Sequence, residues 1–257
     1  MRYTIKLSYL GADFFGWQIQ PRFVSVQELI QNALSILLKC TITVTGAGRT
    51  DTGVNGINYI AHFDVPDDCK LEPKFISYKL NAILPKGIKV HSIEEVEPGF
   101  HARFDAKSRE YRYFIHRTKD PFMDKLSYLC HYDLDLEAMN KACSLMLGQH
   151  DFACFEKTGG NNKTSICTIY EARWESYKPT HVSMMGFESK DNDYIVFYIK
   201  ADRFLRNMVR AIVGTMIDIG RGRHDSEWIT ELIESGKRSN AGESVPGNAL
   251  FFIKANY

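Results

Sequence analysis

The chain opens on a strict alternation. From Arg2 to Leu10 the residues Tyr3, Ile5, Leu7 and Tyr9 fall on every second position, the period of a strand with one buried face. A polar and aromatic stretch over 11–24 reads as a loop. Ser25-Val26-Gln27-Glu28 then has the spacing of a capping box, a hydroxyl at the N-cap and a carboxylate three residues on. Val26, Leu29, Ile30, Ala33, Leu34, Leu37 and Leu38 recur behind it at helical spacing, which predicts an amphipathic helix over 26–39. Short strands are predicted at 42–45 and 57–64, on either side of a glycine-rich run. Pro73 opens a helix that reaches about 81, and 88–96 reads as a strand ended by Pro98-Gly99.

The second half replays this order. A long strand over about 103–117 precedes a helix at 135–147 stopped by Gly148. Strands follow near 166–175 and 193–201, then a long helix over 203–219 closed by Gly220, a short helix at 226–235 and a final strand at 249–256. Hairpin-compatible strands interspersed with helices predict a mixed α/β chain of the α+β class, its largely antiparallel sheet covered by helices on one side. The expected boundary lies at 98–101, dividing the chain into 1–101 and 102–257.

Composition narrows the class. With 44% hydrophobic and 12% aromatic residues in 257, the chain has ample core and is not intrinsically disordered. Its 32 basic side chains against 31 acidic ones exclude a protein that coats nucleic acid by charge alone. No apolar run approaches the roughly 18 residues of a membrane span, and no signal-peptide pattern opens the chain, so a cytoplasmic protein is expected. The six cysteines form no C-x-x-C pair, which argues against zinc and thioredoxin-like sites. They are expected to be reduced thiols in core positions.

The neutral total conceals segregation. Six basic residues face two acidic ones between Lys200 and Arg223, and seven face four between His101 and Lys125. Acidic residues gather instead at 94–97 and 225–234. On a helix over 203–219, Arg203, Arg206, Asn207, Arg210 and Gly214 would share one stripe, with no acid at i±4 within that helix to pair the arginines. Gly214 would admit a close approach by another backbone or a ligand. In Arg109-Glu110-Tyr111-Arg112-Tyr113, the tyrosines share one strand face and Arg112 takes the other. Basic and aromatic alternation of this kind suits base stacking beside a charged groove, and equally suits packing. A specific polyanion partner is the expectation.

The chemistry-bearing candidate is Gly46-Ala47-Gly48-Arg49-Thr50-Asp51-Thr52-Gly53. Such a run makes a tight turn between strands. It also suits an ionised carboxylate, kept so by the nearby Arg49, as nucleophile or general base. Asp51-Thr52-Gly53 spells the triplet of aspartic proteases, but that chemistry needs a second carboxylate to share one proton. No other D-[ST]-G occurs, and a neighbouring guanidinium opposes proton sharing.

Taken together, these motifs resemble the tRNA pseudouridine synthase A family. Gly48-Arg49-Thr50-Asp51-Thr52-Gly53-Val54 is similar to its G-R-T-D-A-G-V signature. Phe15-Gly16-Trp17-Gln18, Leu80-Asn81-Ala82-Ile83-Leu84-Pro85, Phe100-His101-Ala102-Arg103-Phe104, Tyr111-Arg112-Tyr113, Leu147 to Phe152 and Arg206-Asn207-Met208-Val209-Arg210 follow in the family's order. The resemblance implies an isomerase that converts uridine to pseudouridine at positions 38, 39 and 40 of the tRNA anticodon stem-loop, without cofactor or metal. It implies two similar α/β halves around a central basic cleft, and a homodimer. Asp51 would be the catalytic aspartate, Arg210 its ionic partner, and Tyr111 the ring that stacks on the target base. Leu250 would pack beside the base, and Arg49 would enter the stem to help expel the nucleotide. Arg203 and Arg206 would bind the RNA. The alternative is a non-catalytic tRNA-binding protein or RNA chaperone on the same fold. Thr52 stands where the family has a small Ala, Asn55 where His is common, and Leu10 where Asp is usual.

Overall fold

A computed structural model describes residues 1–67, 69, 71–159 and 163–257. The backbone forms two compact units, 1–108 with 251–257, and 109–250.

In the first unit the opening alternation becomes β1 (Arg2–Tyr9), which buries Tyr3, Ile5, Leu7 and Tyr9 and leaves the intervening residues half-exposed. Helix α1 (Val26–Leu38) starts where the capping box placed it, the Ser25 hydroxyl accepting from Glu28 N at 3.3 Å, and it ends on Lys39 in a left-handed conformation. β2 (Val44–Gly46), β3 (Asn55–Asp64), α2 (Pro73–Ile83) and β4 (Ile88–Val96) complete the run. β1 lies between β3 and β4, antiparallel to both, and β2 pairs with β3. α2 packs on β4, and α1 on β2 and α2. Asn81 joins α2 to β4, its amide both accepting from Val90 N and donating to Val90 O at 2.8 Å.

The second unit begins its sheet with β5 (Ser108–His116), shorter than the strand expected over 103–117. The difference is local chemistry. The His101 Nδ1 accepts from Arg103 N and Phe104 N, and the Asp105 carboxylate accepts from His101 N, so side chains bend this backbone into a turn before any ladder begins. Then come β6 (Tyr128–Leu129), α3 (Leu136–Leu145) capped by Asp135, β7 (Gly148–Asp151), β8 (Ile166–Ser176), the single turn α4 (Thr180–Ser183) and β9 (Tyr194–Ala201). β5, β9, β8 and β7 are antiparallel neighbours in that order, and β6 lies parallel to β5.

Helix α5 (Met208–Gly220) begins five residues later than its periodicity predicted. Asn207 stops it from extending back, since its backbone is left-handed (φ 64°) and its amide donates to Ser244 Oγ at 2.5 Å. Arg203, Arg206 and Asn207 therefore lie on the approach to the helix, and no helical stripe joins them to Arg210. The helix is not amphipathic either: every residue but Arg210 and Asp218 is buried. α6 (Trp228–Ser235) follows, and the chain closes with β10 (Leu250–Asn256), parallel to β3 in the first unit. The fold is α+β, with mostly antiparallel strands and, among the described residues, six α-helical segments. All six cysteines are free thiols; Cys130, Cys143, Cys154 and Cys167 are buried, whereas Cys40 and Cys69 are half-buried rather than in the core.

Candidate active site

In the first unit the loop carrying Asp51 joins β2 to β3 and is fixed on both sides of that residue. On the approach, Ala47 N donates to Ile60 O at 2.8 Å. The Tyr59 hydroxyl donates to Gly48 O and accepts from Gly48 N. Gly46 is obligatory here, because a Cβ would meet the Tyr59 hydroxyl and the Trp17 ring within 2.7 Å. Thr50 is buried and doubly held: its hydroxyl lies 2.9 Å from the Tyr9 hydroxyl, and its carbonyl accepts from Trp17 N at 3.1 Å. Gly16, left-handed at φ +85°, approaches so closely that a Cβ would stand 2.5 Å from Thr50 O. Beyond Asp51 a turn closes with Val54 N donating to Asp51 O at 3.1 Å, and Gly53 takes the left-handed position it needs. Asn55, fully buried, then accepts from Gly11 N at 2.8 Å.

The aromatic loop noted in the sequence is thus a brace. The Trp17 ring lies 4.2 Å from that of Tyr59, tilted by 33°, and both Trp17 and Phe14 are buried. Asp51 itself is half-buried, with Arg49 and Thr52 exposed beside it. The backbone that carries this carboxylate is therefore constrained immediately before and after it. Sequence reasoning missed Tyr9, Thr50 and Tyr59 as its supports; Asn55 carried a signal as a departure from the family pattern, and its amide now accounts for itself by binding Gly11.

In the second unit Tyr111 and Tyr113 share one face of β5, as the alternation predicted. Tyr113 is wholly buried and its hydroxyl donates to Pro246 O at 3.0 Å; burial pushes that phenol far above its ordinary range. Tyr111 is half-buried and meets the Phe204 ring edge-on at 5.0 Å. Arg112, on the other face, lies over Tyr198 at 4.7 Å. Arg210, the one basic residue of α5, donates from Nε to Val245 O at 2.7 Å. Adjacent carbonyls of Val245 and Pro246 therefore fix α5's guanidinium and β5's buried tyrosine to one segment, which runs on to buried Leu250. Arg203 donates to Thr164 O at 3.1 Å, and exposed Arg206 reaches Thr158 O at 3.5 Å. Among the described residues, no group of three or more His, Cys, Asp and Glu side chains is arranged to hold a metal ion, and no helix is long and apolar enough to cross a membrane.

Comparison with known proteins places the chain in a class of enzyme. The family model described as tRNA pseudouridine synthase matches residues 6–105 and 142–257. The chain belongs to that family, whose members are isomerases acting on uridine in tRNA. It is 45% identical over 256 residues to a tRNA pseudouridine synthase A of Parabacteroides distasonis, covering 100% of this chain and 96% of that protein. It is 43% identical over 256 residues to the same-named protein of Bacteroides thetaiotaomicron, covering 100% and 90%. A tRNA pseudouridine synthase A 2 of Clostridium perfringens is 36% identical over 255 residues, covering 98% of each.

Proposed function

We propose that this chain isomerises uridine to pseudouridine in the anticodon stem-loop of tRNA, at positions 38, 39 and 40, and that Asp51 is the catalytic carboxylate. The observation that carries the reading is the Asp51 loop: its sequence resembles the family signature, and its backbone is anchored immediately before and after the carboxylate. The bond between C1′ of the ribose and N1 of the base breaks, the base turns, and C1′ bonds to C5. The hydrogen on C5 leaves as a proton and N1 gains one, so no oxidant, reductant or energy source is consumed. Asp51 acts on the ribose, as nucleophile or as base. Tyr111 presents a half-buried ring suited to stacking on the base, and Leu250 an apolar contact beside it. Arg210 supplies positive charge, Arg49 enters the stem as the nucleotide is turned out, and Arg203 and Arg206 contact RNA phosphates. The protein works as a cytoplasmic homodimer, a state sedimentation would report.

A tRNA tritiated at C5 of uridine tests the chemistry. The wild-type protein should release label to water, and Asp51→Asn should release none while binding tRNA within about threefold of wild type. Normal release by Asp51→Asn would remove Asp51 from the mechanism. Tight binding by wild-type protein without release from any uridine would leave an RNA-binding protein in place of the enzyme.

A further inference from the structure

Phe100-His101-Ala102-Arg103-Phe104 has no part in the chemistry above, yet it is among the most firmly built turns of the first unit. Ala102 is wholly buried; its N donates to His62 Nδ1 at 3.1 Å and its carbonyl accepts from the Tyr257 hydroxyl at 2.7 Å. Phe100 O accepts from Arg2 at 2.8 Å, and the Phe100 ring lies 5.0 Å from that of Tyr257. His101 and Asp105 close the turn through three side-chain-to-backbone bonds. All this fixed structure presents one large ring to solvent. Phe104 is 74% exposed, and it is no loose side chain: it stacks on His101, centroids 4.2 Å apart with planes 30° from parallel. The exposed Arg103 guanidinium lies 5.7 Å from the centre of the same ring.

We infer that Phe104, backed by His101 and flanked by Arg103, is a binding platform on which an unpaired base of the RNA substrate stacks, with Arg103 directed at the adjoining phosphate. The inference rests on the proposed tRNA substrate. A ring backed by His101 and still 74% exposed offers its uncovered surface at a low ordering cost, because the turn that carries it is fixed before the ligand arrives. Base–aromatic stacking is tolerant of sequence and needs no groove. The neighbouring cation favours a polyanion over an apolar protein surface.

The experiment measures affinity for tRNA and for a fully paired RNA duplex, using wild type, Phe104→Ala, Phe104→Trp and Arg103→Gln. Because Phe104 is so exposed, its variants should fold, which unchanged thermal unfolding would verify. Phe104→Ala should bind tRNA about 5- to 100-fold more weakly and bind the duplex as wild type does. Phe104→Trp should restore affinity, and its added indole emission should fall when tRNA is bound. Arg103→Gln should reduce the slope of log affinity against log salt by about one. Unchanged tRNA affinity in Phe104→Ala overturns the platform. So does a variant that sediments as a smaller species with its RNA affinity intact, which would make the ring a self-association surface. Label release by the wild-type protein separates the outcomes: active enzyme with indifferent Phe104→Ala sinks only this inference, while inactive wild type sinks the proposed function.

Discussion

The Tyr9 hydroxyl lies 2.9 Å from the hydroxyl of Thr50, in the protein interior, one residue before the Asp51 carboxylate. This bond ties the end of β1 to the loop that carries the proposed chemistry. Tyr9→Phe keeps the ring against Trp17 and Tyr59 and deletes only the oxygen, leaving a buried Thr50 hydroxyl without that partner. Stability should fall by about 1–2 kcal/mol in denaturant unfolding. The rate of label release should fall by roughly tenfold with KM for tRNA little changed, since a small displacement of a catalytic group costs rate before it costs binding. An unaltered kcat alongside reduced stability would assign the bond to folding alone.

Gly214 offers a sharper stability test. A Cβ there would stand 1.7 Å from Glu243 O, and that atom belongs to backbone which cannot swing aside as a side chain would. The same segment is held from the other direction, Gly242 N donating to Thr215 Oγ1 at 3.0 Å. Gly214→Ala gains about 1 kcal/mol of helix propensity but must push the chain off α5, at a cost of about 3 kcal/mol or more. The clash wins, and the urea midpoint should drop. Because Arg210 is bonded to Val245 in the displaced segment, activity should fall further than stability accounts for.

Where periodicity and capping chemistry agreed, the sequence was a reliable guide: β1, α1 and β4 lie within a residue or two of their predicted bounds. It misled at 203–207, because arginines at helical spacing look the same on a helix and on the loop before it. What decided the matter was one left-handed Asn and its bond to Ser244, a contact 37 residues away that no local pattern contains. The strand over 103–107 failed for the opposite reason, local side chains of His101 and Asp105 outcompeting the ladder. The loop that carries Asp51 was conspicuous because glycine, arginine and aspartate together are poor core. Its supports were not, since Tyr9 and Tyr59 read simply as strand residues and reveal their hydroxyl partners only when β1, β3 and the loop are assembled.

The thiols provide an independent check on burial. Cys143, Cys154 and Cys167 are each pushed up to about 12 by burial, and Cys130 is raised for the same reason. At pH 8 these four should resist an aromatic disulfide reagent in the folded protein, leaving Cys40 and Cys69 to react. All six should react once the chain is unfolded in denaturant. Rapid modification of more than two in the native state would show that the second unit opens far more readily than its packing implies.

His62 predicts the response to acid. It is buried on β3, and burial lowers its pKa from 6.5 to about 4, with His101 and Arg2 acting in the same direction and Asp64 and Asp105 opposing. Its Nδ1 accepts from Ala102 N, a bond the protonated ring could not accept. Between pH 6.5 and 4 the unfolded chain therefore binds a proton that the folded one refuses. Stability should be complete above pH 6.5 and decline as pH falls toward 4, by about 2–3 kcal/mol from this residue. His91 and His116 are lowered by burial as well and add to the slope with the same sign. Asp64, held low chiefly by its hydrogen bond from Arg2, contributes only at more acid pH, where carboxylates begin to protonate. His62→Asn removes the titration and leaves an oxygen to accept from Ala102. Its unfolding free energy should vary less with pH than that of wild type across this window, by close to one proton in slope, when both are measured in denaturant at half-unit steps. An equal slope in the two proteins would mean that His62 is protonated within the fold and that the turn it supports is looser than its hydrogen bonds indicate.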